Sequence, residues 1–178
     1  DAASFASPLE EPEACLHCAK PAALCVCDRV VPVRTKLTLV ILMHPQEQDK
    51  MLGTARLAAR HVDGAVLKIG LSWPSLSKIL GRSVDPQRFA VLYLGSTDTG
   101  KLASETGVVA LDRKGAPEPD QARALRDLEG VIVLDGTWSQ ANTLWWRNPW
   151  LLKCRRVVLT PKQRSRYGRL RGEPRREG

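Results

Sequence analysis

The run Val131-Ile132-Val133-Leu134-Asp135-Gly136-Thr137-Trp138 joins an apolar stretch to an acid, a glycine, a hydroxyl and an indole. Four consecutive apolar residues, three of them β-branched, predict a strand buried on both faces. Such a strand carries the Asp135 carboxylate to its carboxyl end, the edge where open α/β sheets bind ligands. A carboxylate there suits a general base or an electrostatic partner for a cation. A structural acid beside a helix cap is the plainer reading of the same residues. Thr137 and Gln140 have capping-box spacing, which predicts a helix from Trp138 or Ser139 that stops at Asn148-Pro149. Backbone N–H groups at such a helix start attract negative charge.

A second group with chemistry in it lies near the start of the chain. Cys15, Cys18, Cys25 and Cys27 follow the pattern C-x2-C-x6-C-x-C. Two close thiolate pairs across a short loop can wrap a tetrahedral zinc. The intervening residues 19–24 lack the bulk for a core, so a metal would stabilise them. A disulfide framework is the rival and needs an oxidising compartment. With four protein ligands the site is closed and structural. His17 reads as exposed rather than as a fifth ligand, and Cys154 as a small core residue.

The chain of 178 residues suits one domain with a small appendage. We divide it into residues 1–32, holding the cysteine loop, and 33–178, an α/β domain with a basic tail. A 43% hydrophobic content allows a real core, and no apolar run reaches membrane-spanning length. No secretory signal is visible, and a cytoplasmic location is expected. The chain begins at Asp1 rather than methionine and reads as processed or trimmed, so a removed targeting segment stays open. The net charge of +8 falls entirely on the residues after Leu152, mostly as arginine. That asymmetry points to a polyanion, with nucleic acid favoured over a membrane surface and over a merely solvated tail. Tyr167, set among those charges, has the chemistry to stack on a base.

These groups need a frame. Strands are predicted at 37–42, 65–69, 89–94, 108–111, 131–134 and 156–159. Helices are predicted at 50–62 with Asp49 as cap, at 75–80, at 120–128 closed by Gly130, and after Thr137. One face of the first comprises Leu52, Ala55, Ala59 and Val62. Strands alternating with helices give a mostly parallel sheet covered on both faces. Among the tryptophans, Trp145 and Trp150 read as packing, while Trp138 adjoins the acid.

Gly95 to Lys101 match the G-x-x-x-x-G-K phosphate loop, with Asp135 as the acid that would help hold magnesium. The match fails at Leu102, where a metal-binding hydroxyl is needed, and Gly107 interrupts any long following helix. A non-enzymatic zinc-containing RNA-binding module is a further alternative, but it leaves the Asp135 strand end unexplained.

Several stretches resemble the DTW-domain family in order: Cys15 to Cys27, residues 41–47 with His44-Pro45, residues 92–96, residues 134–138, and Arg155 to Pro174. The family is similar to the SPOUT-type enzymes, so the resemblance implies a trefoil-knotted α/β fold. It also implies transfer of the 3-amino-3-carboxypropyl group of S-adenosylmethionine to N3 of a uridine in tRNA. On that reading Asp135 is the base. Leu94, Gly95, Ser96, Thr97, Leu134, Gly136, Thr137, Trp138 and Leu159 line the co-substrate pocket. Arg155, Arg156, Lys162, Arg164, Arg166, Arg169 and Arg171 hold RNA phosphates. An ordinary aspartate is a weak base for the uridine proton, so the reading expects burial to raise its pKa. His44 and Glu47 either touch substrate or tie down their loop. Two departures stand out. Gly53-Thr54-Ala55-Arg56 replaces the family's Asn-Thr-Gly-Arg, and the chain ends at Gly178, before the family's Ser-Thr and helical segment.

Overall fold

The structure, a computed structural model, describes residues 14–51, 53–92 and 107–160. Its strands are β1 (Thr38–Met43), β2 (Val66–Ile69), β3 (Phe89–Leu92), β4 (Val108–Leu111), β5 (Gly130–Asp135) and β6 (Arg155–Leu159). Its helices are α1 (Ala55–His61), α2 (Leu76–Leu80), α3 (Gln121–Leu125) and α4 (Trp138–Arg147). The strands form one sheet in the order β2-β1-β5-β3-β6-β4. All neighbours are parallel except β4, which runs against β6 at one edge. The expected architecture, a mostly parallel sheet with helices on both faces, is the one observed.

Two crossovers decide where the helices go. From β1 the chain passes through α1 to β2 on one flank; from β5 it passes through α4 to β6 on the other. Right-handed crossovers that leave in opposite directions put their helices on opposite faces. Accordingly α1 packs on Ile41, Met43 and Val133 through Ala55 and Ala59. On the other face α2 and α4 pack on Val40, Leu42, Phe89, Val91, Ile132 and Leu134. Side chains alternate along β5: Ile132 and Leu134 are buried, while Val131, Val133 and Asp135 are half-buried. The strand is therefore sealed on one face only, which corrects the expectation of burial on both.

The boundaries differ from expectation where glycine and proline intervene. The helix predicted at 50–62 begins only at Ala55, because Pro45–Glu47 forms a short 3-10 turn and Gly53 closes a turn on Lys50. Asp49 is not its cap; Thr54 occupies that position without a side-chain hydrogen bond. Of the face predicted for this helix, Leu52 lies outside the described residues. The helix at 120–128 is shorter, Gln121–Leu125, and its cap Asp120 accepts from the Arg123 N–H. Gly130 does not close that helix but opens β5. A Cβ there would lie 2.4 Å from Phe89 Cε1 and 2.6 Å from the Thr38 carbonyl oxygen, so the close approach of three strands demands glycine. By contrast, α2 stops at Gly81 in a left-handed conformation (φ 67°), as its sequence predicts, while Ser75, predicted as its first residue, is its cap. The predicted end of the third strand, residues 93–94, lies outside the described residues. So does the path that would make the expected trefoil knot, through residues 93–106 and 161–178.

The α4 terminus is clamped to the rest. Fully buried Asn148 accepts from the Trp73 N–H at 2.9 Å and donates to the carbonyls of Leu71 (3.0 Å) and Leu144 (2.8 Å). Trp150 donates to the Trp73 carbonyl at 3.0 Å and is buried, and Trp145 packs against the same core. Both are packing residues, as expected.

Candidate active site

Strands β1 and β5 are neighbours whose connections depart in opposite directions, so the carboxyl ends of these two strands form the topological switch point of the sheet. Met43 stands beside Asp135 in register, and the next residue, His44, donates its N–H to the Asp135 carbonyl at 3.0 Å. Since Val133 faces α1 and side chains alternate, Asp135 projects on the α1 side, half-buried at the rim. The carboxylate is thus placed at the carboxyl edge of the sheet, half-buried and not sealed in the core.

The turn after Asp135 is held from several directions. Thr137 caps α4 through the Gln140 N–H (3.3 Å), and the Gln140 side-chain oxygen accepts from the Thr137 N–H at 2.7 Å, completing the predicted capping box. The other end of the same amide donates to Gln46 Oε1 at 3.0 Å, tying the turn after β5 to the loop after β1. Gly136 leaves room for this arrangement: a Cβ there would meet Gln140 Cβ at 2.8 Å and Oε1 at 2.9 Å. His44 Nδ1 accepts from the Gln46 N–H at 3.2 Å, and Glu47 pairs with Lys50. These contacts tie down the loop after β1.

The remaining expected site residues are distributed as follows. Gly136 is half-buried, Thr137 exposed, and Trp138 projects into solvent with 60% of its surface exposed beside the crevice. Leu134 is buried in the core under α4, and Leu159 is exposed at the carboxyl end of β6. Arg155 donates to the carbonyls of Ala124 (2.7 Å) and Arg126 (2.6 Å). Arg156 donates to the Arg113 carbonyl at 2.9 Å and lies 5.2 Å over the Trp145 ring. Both guanidinium groups thus have partners in the fold itself. Leu94, Gly95, Ser96 and Thr97, the Gly95–Lys101 phosphate-loop match, and Lys162, Arg164, Arg166, Tyr167, Arg169 and Arg171 lie outside the described residues.

The four cysteines converge. Their Sγ atoms all lie within 4.8 Å of one another, with Cys18 and Cys25 3.8 Å apart. Thiolates around one tetrahedral zinc at ~2.3 Å would stand about 3.8 Å apart, so the donor set and its spacing fit a metal. A turn with Ala19 left-handed (φ 58°) folds Cys15 back, and the Cys15 carbonyl accepts from the Ala19 N–H at 2.8 Å. The N–H groups of Cys18 and His17 hold the Cys15 thiol down, at about 6, whereas burial and the neighbouring thiols push Cys27 up to about 12. A bound dication would favour all four thiolates at once. The loop is anchored to the body by Lys20, which donates to the carbonyls of Met51 (2.7 Å) and Gly53 (3.0 Å). His17 is exposed and Cys154 buried, as expected.

Sequence reasoning marks Gln140 only as a cap partner and gives Gln46 no role; their bond joins residues 94 positions apart, beyond any local pattern. Lys20 and Asn148 are likewise invisible to it, because their acceptors are backbone carbonyls brought near only by the fold.

Comparison with known proteins adds three findings. The DTW domain matches residues 12–178 of this chain. A curated protein of Macaca fascicularis, "tRNA-uridine aminocarboxypropyltransferase 2", is 27% identical over 162 residues, covering 86% of this chain and 48% of that one. Its counterpart of the same name in Mus musculus is 27% identical over 164 residues, with the same coverage of both. The chain thus spans about half the length of these relatives. No solved structure matches it significantly.

Proposed function

The chain belongs to the DTW domain family, and from that we propose that it transfers the 3-amino-3-carboxypropyl group of S-adenosylmethionine to N3 of a uridine in tRNA. The names of the two curated relatives support the reaction and the substrate. The observation that carries the reading is the position of Asp135: a half-buried carboxylate at the topological switch point, on a residue whose backbone carbonyl accepts from the His44 N–H.

The chemistry balances without a redox partner. The N3–Cγ bond forms, the Cγ–S bond breaks, and the sulfonium's positive charge is cancelled as neutral methylthioadenosine leaves. The N3 proton passes to Asp135, which lies on the rim where a base could lodge. S-adenosylmethionine offers three activated carbons, so orientation decides which one reacts. The turn at Gly136 and Thr137, locked by Gln140 and Gln46, supplies a rigid wall for that orientation. Gly95, Ser96 and Thr97, which follow β3 in the sequence, belong to the same pocket in this reading, as do Leu94 and Leu159. Trp138, exposed at the start of α4, belongs to the same pocket in this reading.

Cys15, Cys18, Cys25 and Cys27 hold zinc in this proposal, a closed structural site that keeps the loop docked against the turn before α1. Lys162, Arg164, Arg166, Arg169 and Arg171 hold tRNA phosphates, with Arg155 and Arg156 at the base of the tail.

The test uses S-adenosylmethionine labelled separately in its methyl and its aminocarboxypropyl carbons, with unmodified tRNA. Butyrate-chain label in the tRNA supports the reading. Methyl label would make the protein a methylase, and no label would leave it a binder; either refutes the proposal.

A further inference from the structure

A crevice of about 480 Å³ runs along the flank of α1, between that helix, the start of β2 and the cysteine loop. Its walls carry Arg56, Arg60 and His17, while the single carboxylate among its lining residues, Asp63, sits 3.6 Å from Arg34. Arg56 Nε is buried and has no hydrogen-bond partner among the described residues. A buried guanidinium N–H without an acceptor is costly, and the cost is relieved when the side chain turns outward to an anion in the crevice. Arginine in particular matches phosphate, because its planar fork can donate twice.

From this cluster we infer a phosphate-binding crevice that holds the backbone of the RNA substrate through residues other than Asp135 and the basic residues after Leu152. The inference rests on the tRNA reading above. The volume exceeds that of a lone anion and suits a sugar-phosphate unit. Arg56 lies in the first turn of α1, after the loop that leaves the carboxyl end of β1, and β2 is two strands from β5, roughly 10 Å sideways at the usual strand spacing. Arg60 and residues 62–65 lie further along, toward the amino end of β2, so an RNA strand whose target base reaches Asp135 meets the Arg56 end of this wall first and the Arg60 end beyond it. The cysteine loop gains a role in the same site, because it contributes His17 to the wall, and Lys20 fixes its position against the turn that precedes Arg56. Phosphate contacts of this kind position an RNA without reading its sequence.

The experiment measures binding of unmodified tRNA to the metal-loaded chain by fluorescence anisotropy across a range of salt, for the wild type, Arg56→Gln and Arg60→Gln. Arg60 is exposed, so its variant stays folded even if loss of the half-buried Arg56 does not. Each variant is expected to bind about three- to tenfold more weakly, with a log–log salt slope shallower by about one. Affinity for S-adenosylmethionine, by calorimetry, stays unchanged. Two folded variants that bind tRNA with wild-type affinity and slope would overturn the crevice while leaving the tRNA reading intact. So would a response of the Arg56 Nε–H resonance to millimolar inorganic phosphate but not to tRNA, which would mark a small-anion site. A wild type that binds no tRNA would overturn the tRNA reading itself, before any variant is made.

Discussion

The amide of His44 donates to the carbonyl of Asp135 at 3.0 Å, one residue beyond the register at which Met43 and Asp135 stand side by side. The parallel ladder is thereby extended past the ends of both strands. The carboxylate of Asp135 and the loop of His44 cannot drift apart without breaking it, and the Gln46–Gln140 bond fastens the same two segments a few residues further on. Preorganisation at this rim is what the proposed transfer needs, because geometry selects among the carbons of the donor.

If Asp135 receives the uridine proton, Asp135→Asn keeps the size and the backbone bond to His44 but loses the base. Transfer should fall by at least about a hundredfold, while affinity for S-adenosylmethionine stays within a few-fold. Single-turnover assays with labelled donor, beside calorimetric binding, separate the two effects. Full activity of the variant would remove Asp135 from the chemistry.

Gly136→Ala tests the wall rather than the base. The new methyl would stand 2.8 Å from Gln140 Cβ and 2.9 Å from its Oε1. Rotation of Gln140 removes its Oε1 but not its Cβ, so the first turn of α4 must shift as well, opening both the capping box and the bond to Gln46. The capping loss alone should lower stability by about 1 kcal/mol, read as a shift in the denaturation midpoint. Transfer should suffer more than stability does, through a weaker hold on the donor. A variant with wild-type stability and activity would show that the turn has slack.

How much of this is legible in the sequence follows from how local each signal is. Val131–Trp138 declares itself because strand, acid and cap are contiguous, and the Thr137–Gln140 box needs only a three-residue spacing. Gly130 misleads because a glycine after a helical pattern looks like a stop, whereas its real constraint is the Phe89 ring on the neighbouring strand. The helix predicted at 50–62 is too long because apolar spacing says nothing of the turns that Pro45 and Gly53 impose. The burial of β5 is overstated for a similar reason: composition cannot tell which face a helix will leave half open. The family resemblance supplies what pattern cannot, and the DTW domain match bears it out. Of the Arg56 crevice only the arginine that ends the Gly53–Arg56 stretch is marked in the sequence, since its walls come from the cysteine loop, α1 and β2.

Metal removal gives a further test. The purified chain should carry one zinc, and cobalt in its place should give the intense visible bands of tetrahedral thiolate coordination. Chelation should lower the melting temperature and expose Cys15, Cys18, Cys25 and Cys27 to alkylation, with zinc restoring both. Cys154 serves as the internal standard, because burial pushes its thiol up to about 12 and it stays unreactive near pH 8 until the chain is denatured. Absence of bound metal, with an unchanged melting curve after chelation, would dismiss the metal site.

Asn148→Ala probes the clamp behind the site. Asn148 is fully buried and serves three backbone groups, the Trp73 N–H and the carbonyls of Leu71 and Leu144. Truncation leaves these groups unpaired and opens a small void. Since each orphaned buried group costs on the order of 1–3 kcal/mol, with partial relief by water, the variant should lose about 2–4 kcal/mol. Urea denaturation should show the midpoint falling with the slope unchanged. Asn148→Asp makes the comparison sharper: it retains an acceptor for the Trp73 N–H but sets a carboxylate against two carbonyl oxygens, so it should be no more stable than the alanine variant. Near-wild-type stability in both would mean that α4 is held by its apolar face alone, and that its amino end, which carries Trp138, needs no anchor at the far terminus to stay aligned with Asp135.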